Sequence, residues 1–290
     1  MSTDKISPDD GRITHCEAVL NGQTYHLWFG WRFQIPFLIQ QNLRVVVPDM
    51  MGYGGTLAKH LRAPKIILGG HDWGGFVVYR TAQWYPELVT HVFSVCTPYT
   101  APSRHYISLA EMVNGPLPQF GYQLQLAGPE LEANIKSYDQ VKGFLKALYG
   151  GRSASGKPCF RPETGIDLEG LKTIGLAPSL DGKELEYYIK EYMRRGLHGP
   201  LNWYRTRRIN YEDDLELQTK KVNQPVLFIS GKLDAVLTPE MSKGMEVFIP
   251  LLRRREVETG HWALTQAPEE VNKILEDWLV EVVFGAKSVL

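Results

Sequence analysis

The sequence predicts an α/β protein with a mostly parallel central sheet and a helical insertion. Short runs rich in β-branched residues alternate with longer amphipathic runs, the pattern of parallel strands joined by helices. Most of the β-branched runs are also apolar on both faces, as a sheet covered by helices on each side requires. The best strands are residues 43–47, 65–68, 89–95, 225–230 and 254–257. A helix over 74–85 follows a strand directly. A second, over 239–248, opens with Thr238 and Pro239 as N-cap and first-turn residues, and a third, over 268–283, starts the same way after Ala267. Between about 97 and 207 the strand signals stop, and runs such as 131–148 and 183–195 carry apolar residues at helical spacing between Gly and Pro clusters. The expected organisation is therefore an α/β core of residues 1–97 and 208–290 with a helical cap of residues 98–207, whose most exposed loop is 150–158.

Composition narrows the function. With 290 residues, 43% apolar and 22% charged, the chain can bury a sizeable core. Lys+Arg and Asp+Glu are equal at 32 each, so no field of either sign draws nucleic acid, an anionic membrane or a polyacid. A small uncharged substrate suits that balance. Cys16, Cys96 and Cys159 lack both metal-ligand spacing and the even number of a disulfide framework, which points to a reducing compartment. The first residues have no apolar core of a signal peptide, and no apolar run reaches the length of a bilayer span. A soluble cytoplasmic protein is expected. Ser288, Val289 and Leu290 resemble a peroxisomal address only loosely, because the middle basic residue is absent.

The stretch KIILGGHDWGGFVVYR carries the most chemistry. A buried strand runs into Gly70, His71, Asp72, Trp73 and Gly74 and then into a helix. Small residues flanking a central reactive one form the nucleophile-elbow pattern, in which a strained turn lifts the central side chain above a sheet at a helix N-terminus. That residue is usually serine; here it is Asp72. A carboxylate with an ordinary pKa of about 3.9 is already ionised at neutral pH and needs no base to attack. Its chemistry is alkylation: it opens a strained ring or displaces a halide at carbon, and water must then cleave the resulting ester. The competing reading is that Asp72 only caps the following helix.

Cleaving that ester requires a base. His261 follows the strand RREVE and the turn Thr259, Gly260, where a loop at the carboxyl end of a sheet stands above the elbow. Its orienting acid should come from the loop after the preceding strand, where PVLFISGKLDAVLTPE places Asp234; Asp213 and Asp214, in a charged stretch, are weaker candidates. The chain order of nucleophile, acid and histidine is Asp72, Asp234, His261, an order that hydrolases of this architecture share. The remaining histidines weighed, His15, His26, His60, His91 and His105, read as surface or packing residues.

Together, GGHDWGG, VTHVFSVCTPY, FGYQLQLAGPE, HGPLNWYRTR and GHWALTQAPEEVN resemble soluble epoxide hydrolases of the α/β-hydrolase fold, fungal members in particular, over residues 29–278. The resemblance implies an α/β-hydrolase fold and two lid tyrosines, Tyr122 and Tyr204, that point at the nucleophile. A phenol with pKa near 10 is protonated at neutral pH and can donate to an epoxide oxygen as charge develops there. Without the resemblance both would pass as packing aromatics. It also implies that the Trp73 amide helps hold the oxyanion of ester hydrolysis, with its indole lining the pocket. The implied reaction takes an epoxide and water to a vicinal diol and needs no metal or organic cofactor.

The sequence departs from that family in two places. Members carry an apolar strand ending in a His-Gly-x-Pro turn, which supplies a second oxyanion donor, shortly before the segment that reads FGWRFQIPFL here; in this chain NGQTYH runs almost directly into LWFGWRFQIP. The triplet His198, Gly199, Pro200 lies in the lid segment and is no replacement. A second shortening follows Thr56. Losing a central strand leaves backbone groups unpaired, so the sequence reads as an incomplete gene model or a splice product. Two rivals to an epoxide hydrolase follow: a haloalkane dehalogenase, which shares an Asp nucleophile followed by Trp, and a catalytically impaired remnant that acts at most as a binding protein.

Overall fold

The computed structural model describes residues 3–7, 10–14, 18–20, 23–25, 29–48, 61–180 and 182–285. The elements begin with a short antiparallel pair, β1 (Ala18–Leu20) and β2 (Gln23–Tyr25), and helix α1 (Gln34–Gln40). The central sheet contains β3 (Ile66–His71) and β4 (Val89–Val95), joined by α2 (Trp73–Trp84). Then come α3 (Leu109–Val113), α4 (Tyr122–Ala127), α5 (Glu130–Asn134), α6 (Tyr138–Leu148), the hairpin β5 (Phe160–Arg161) and β6 (Gly165–Ile166), α7 (Gly182–Arg195), α8 (His198–Arg205) and α9 (Arg207–Leu215). The chain returns to the sheet with β7 (Val226–Gly231) and β8 (Leu252–Val257) and closes with α10 (Ala263–Gln266) and α11 (Pro268–Trp278), which runs on as a π-helical turn over Leu279–Val283.

Among the described residues the sheet has four strands in the order β3-β4-β7-β8, all parallel. The four later strands expected from the sequence are therefore present, each within three residues of its expected bounds. The inner β7 is buried at every position, and its neighbours pack on both faces: Leu227 and Ile229 join Phe93, Val271 and Leu275 on one side, and Val226 and Phe228 join Val78, Val92 and Met245 on the other. Residues 43–47, expected as a strand, form no ladder, although Leu43 and Val45 pack against the first of these clusters. Among the described residues β3 has a ladder partner on one side, β4.

Two expected helices are broken. Residues 239–248 form two 3₁₀ turns, Pro239–Ser242 and Met245–Val247, because Gly244 takes φ +81° between them and the Thr238 side chain makes no cap. Arg254 instead donates to the Ser242 hydroxyl and carbonyl. Residues 131–148 divide into α5 and α6, since Ser137 restarts the helix with a reciprocal cap from Gln140.

The chain forms two compact units, Met1–Ala101 with Leu217–Leu290, and Pro102–Glu216. The second unit is helical apart from β5 and β6. It runs past residue 207 because α9 is tied into it: Arg207 donates to the Ile107 carbonyl at 2.8 Å and Tyr211 to that of Arg104 at 3.0 Å. Cys96 and Cys159 are buried free thiols, and Cys16, His15, His26, His60 and residues 286–290 lie outside the described residues. Among the described residues no helix is long and apolar enough to cross a membrane.

Candidate active site

The turn between β3 and α2 holds Asp72 at φ +54°, ψ −126°, a conformation that L-residues adopt only under constraint. The constraint is visible in its neighbours. The Asp72 carbonyl accepts from Gly75 N–H at 2.9 Å and from the Thr97 hydroxyl at 2.7 Å. A Cβ on Gly70 would stand 2.2 Å from the Gly74 carbonyl oxygen, and one on Gly75 would stand 2.5 Å from Thr97 Cβ, whereas one on Gly74 would meet nothing within 4 Å. The turn thus needs small residues at 70 and 75, while Gly74 is spatially free. Asp72 makes no side-chain cap to α2, which removes the capping reading.

The loops after β7 and β8 bring two further groups to this turn. His261 Nε2 lies 3.2 Å from Asp72 Oδ1, and His261 Nδ1 donates to Asp234 Oδ2 at 2.8 Å. Asp234 is fully enclosed; its other oxygen accepts from the backbone N–H groups of Val236 at 2.9 Å and Leu237 at 3.0 Å. Asp72 keeps 32% of its side chain open to solvent and His261 22%, so the Asp72 carboxylate is reachable and that of Asp234 is not. Asp234 is thus the carboxylate that accepts from His261 Nδ1.

Charge follows geometry. Burial pushes the Asp72 carboxyl up, but the His261 hydrogen bond and charge, with the Trp73 amide, outweigh it and hold it at about 2. Burial lowers His261, yet hydrogen bonds to Asp234 and Asp72 raise it to about 10. Asp234 is also lowered: burial raises it, and His261 and the two backbone donors prevail. The resting site is therefore carboxylate, imidazolium, carboxylate.

His71 lies at this site too, a residue to which the sequence analysis gave no role. Its Nε2 stands 2.7 Å from the His261 carbonyl, so Nε2 carries the proton and donates. The Cys96 thiol approaches the same oxygen at 3.4 Å. Burial, with the neighbouring His261 charge, drops His71 to about 4 and keeps it neutral. His71, Cys96 and His261 bring possible metal-ligand atoms within 4.8 Å of one another, but both His261 nitrogens face carboxylates and His71 Nε2 faces a carbonyl, so hydrogen bonding already accounts for the cluster. The only advance signal for His71 was its place inside GGHDWGG. Of the other described histidines, His91 packs edge-on against Trp278 at 5.9 Å and His105 is exposed, both as expected.

Trp73 follows Asp72 as the first residue of α2, its ring 6.0 Å from Phe76. In the second unit, Tyr122 opens α4 and Tyr204 lies in the last turn of α8, with ring centroids 6.0 Å apart at 76°. Tyr122 is 7% exposed and packs edge-on against Phe160 at 5.3 Å, while Gln123 Nε2 donates to its hydroxyl at 3.2 Å. The two tyrosines that the resemblance singled out, 82 residues apart in sequence, are thus neighbours in space.

Comparison with known proteins bears on the family and the fold. The family model described as alpha/beta hydrolase fold matches residues 55–268. Epoxide hydrolase srdG of Neurospora crassa is 35% identical over 339 aligned residues, covering 96% of this chain and 99% of that protein. Because the alignment is longer than the 290-residue chain, that relative carries residues with no counterpart here. Bifunctional epoxide hydrolase 2 of Mus musculus is 34% identical over 281 residues, 87% of this chain but 49% of the mouse protein, so the chain spans about half of that relative's length. Among solved structures, epoxide hydrolase A from Mycobacterium thermoresistibile superposes with a TM-score of 0.75 at 24% identity, covering 92% of this chain and 98% of that one. Potato (Solanum tuberosum) epoxide hydrolase I does so with a TM-score of 0.74 at 23% identity, and these two likenesses speak to the fold alone. A parallel sheet bearing an Asp elbow, the hydrolase-fold match and a relative aligned over nearly its whole length converge: the chain belongs to the α/β-hydrolase fold family, among its epoxide hydrolases.

Proposed function

We propose that the protein opens an epoxide to a vicinal diol in two steps, the first of which joins Asp72 covalently to the substrate. The observation that carries this reading is a carboxylate, in place of a serine, at the strained elbow, held ionised and facing a histidine at 3.2 Å. In the first step an Asp72 oxygen attacks a ring carbon, the carbon–oxygen bond of the epoxide breaks, and the alkoxide takes a proton from Tyr122 or Tyr204. The inserted unit acts as the cap in this reading.

Esterification then prepares the second step. The ester is neutral, so one of the two anions that raised His261 is gone, and the imidazolium yields its proton more easily, which neutralises the tyrosinate left by ring opening. Neutral His261, kept in its Nδ1–H tautomer by Asp234, takes a proton from water through Nε2. The hydroxide adds to the ester carbonyl, the Trp73 amide supports the oxyanion, and the intermediate expels the diol and restores the carboxylate. The proton taken from water stays on His261 and restores the imidazolium, so the site returns to its starting state and epoxide plus water balances diol. With no His-Gly-x-Pro turn in the sequence, a second oxyanion donor is missing from this scheme, a loss that slows hydrolysis by roughly 10² to 10³.

The test is a single turnover of an aryl epoxide in ¹⁸O-water. Label is expected in the Asp72 peptide and not in the first diol; unlabelled peptide with labelled diol refutes the covalent route. A second reading, a catalytically impaired member, is favoured by the edge of β3, the strand that carries the nucleophile turn, which has no ladder partner among the described residues. His261→Gln separates the two: accumulation of protein heavier by the mass of one epoxide supports turnover through the ester, and unmodified protein supports the impaired form.

A further inference from the structure

Arg205 lies next to Tyr204 at the end of α8, yet its side chain is spent on the helix that carries Tyr122. Helix α4 ends at Ala127, and its last carbonyls have no partner within the helix. Arg205 Nε donates to the Ala127 carbonyl at 3.0 Å and one of its terminal nitrogens to the Gly128 carbonyl at 3.1 Å. That same nitrogen pairs with Glu132 Oε2 on α5, and the other donates to Asn202 Oδ1 at 3.2 Å on its own helix. Four donors of one rigid guanidinium thus reach fixed acceptors on three helices. Glu132 is itself held: Arg205 keeps its carboxyl below the usual carboxylate range, and His198 Nδ1 lies 2.9 Å from its second oxygen.

We infer that Arg205 is a positioning residue for ring opening, which fixes the helix ends bearing Tyr122 and Tyr204 so that the two phenols stand as a pair. The inference rests on the proposed reading of those tyrosines as proton donors. Its physical basis is leverage. Helix α4 has six residues, too few to hold its own orientation, and Tyr122 sits at its first position. The guanidinium ties the far end of α4 to the residue beside Tyr204. A displacement of about 1 Å between reacting groups can cost about a hundredfold in rate, and ring opening is the step that uses the phenols. Hydrolysis of the ester is assigned to His261, Asp234 and the Trp73 amide, none of which Arg205 touches.

The experiment separates the two steps. Full-length protein is mixed with excess aryl epoxide, quenched over time and weighed intact, so that formation and decay of the ester on Asp72 are read independently. Arg205→Met is expected to slow ester formation by about tenfold or more and to leave decay within about twofold. Arg205→Lys keeps the charge but not the fork, so an intermediate rate of formation is expected; it decides the matter if Arg205→Met does not fold. Equal changes in both steps, or none in either, overturn the assignment. Tyr122→Phe with Tyr204→Phe is the control: ester formation at the wild-type rate in that variant overturns the reading of the tyrosines and the role of Arg205 with it, whereas slow formation there and normal formation in Arg205→Met overturns the role of Arg205 alone.

Discussion

At the scale of single residues, the elbow shows how tightly one turn is specified. Gly70 has no room for a methyl group, because the Gly74 carbonyl stands 2.2 Å from where it would be, while Gly74 faces open space. Gly70→Ala is expected to cost about 1–3 kcal/mol by overpacking and to abolish ester formation. Gly74→Ala, in the first turn of α2, is expected to be neutral or to gain up to about 1 kcal/mol; urea unfolding of the two variants checks the contrast. His71 offers a second pair. His71→Phe leaves the His261 carbonyl without its imidazole donor and is expected to lose about 1–3 kcal/mol, whereas His71→Gln, which can still donate, is expected to lose less. Equal losses would show that the hydrogen bond does not matter. Periodicity has nothing to say about either position. Gly70 was legible through the elbow pattern, but the donor role of His71 depends on a carbonyl 190 residues away.

At the scale of elements, caps decide where helices stop and start. Ser137 and Gln140 exchange both bonds of a capping box and so begin α6 after the break at Ile135. Ser137→Ala is expected to destabilise the protein by about 1 kcal/mol, read as a lowered unfolding midpoint with an unchanged denaturant slope. The same chemistry explains the failed expectation over 239–248. Thr238 and Pro239 are a good start signal, but Gly244 at φ +81° and the pull of Arg254 on Ser242 replace a helix with two 3₁₀ turns. The small hairpin β5 and β6 was hidden for a related reason: two-residue strands carry no period.

At the scale of the molecule, the site makes stability depend on pH. The Asp72 carboxyl is held at about 2, below its ordinary 3.8, so its contribution is complete above that ordinary value and fades as pH falls toward 2. The His261 imidazole is raised to about 10 from 6.5, so its contribution is complete below 6.5 and fades as pH rises toward 10. The two shifts share the His261–Asp72 contact, and Asp234 raises His261 as well. The stability difference between wild type and His261→Gln should therefore be largest between about pH 4 and 6.5 and shrink on either side. Denaturant unfolding at a series of pH values tests this, and a difference independent of pH would show that the pair is not charged.

The four later strands, the order Asp72, Asp234, His261 and the helical character of the insertion were legible from the chain, because alternation of β-branched and amphipathic runs and the elbow's small residues are local properties. Residues 43–47 have the composition of a strand but form no ladder among the described residues, since pairing requires a neighbour that composition cannot guarantee. The 2.8 Å and 3.2 Å contacts of His261, the latch from His71 and the fork of Arg205 were settled only when the chain folded. Each depends on a donor and an acceptor far apart in sequence, and only tertiary packing fixes their distance and the charge each one carries.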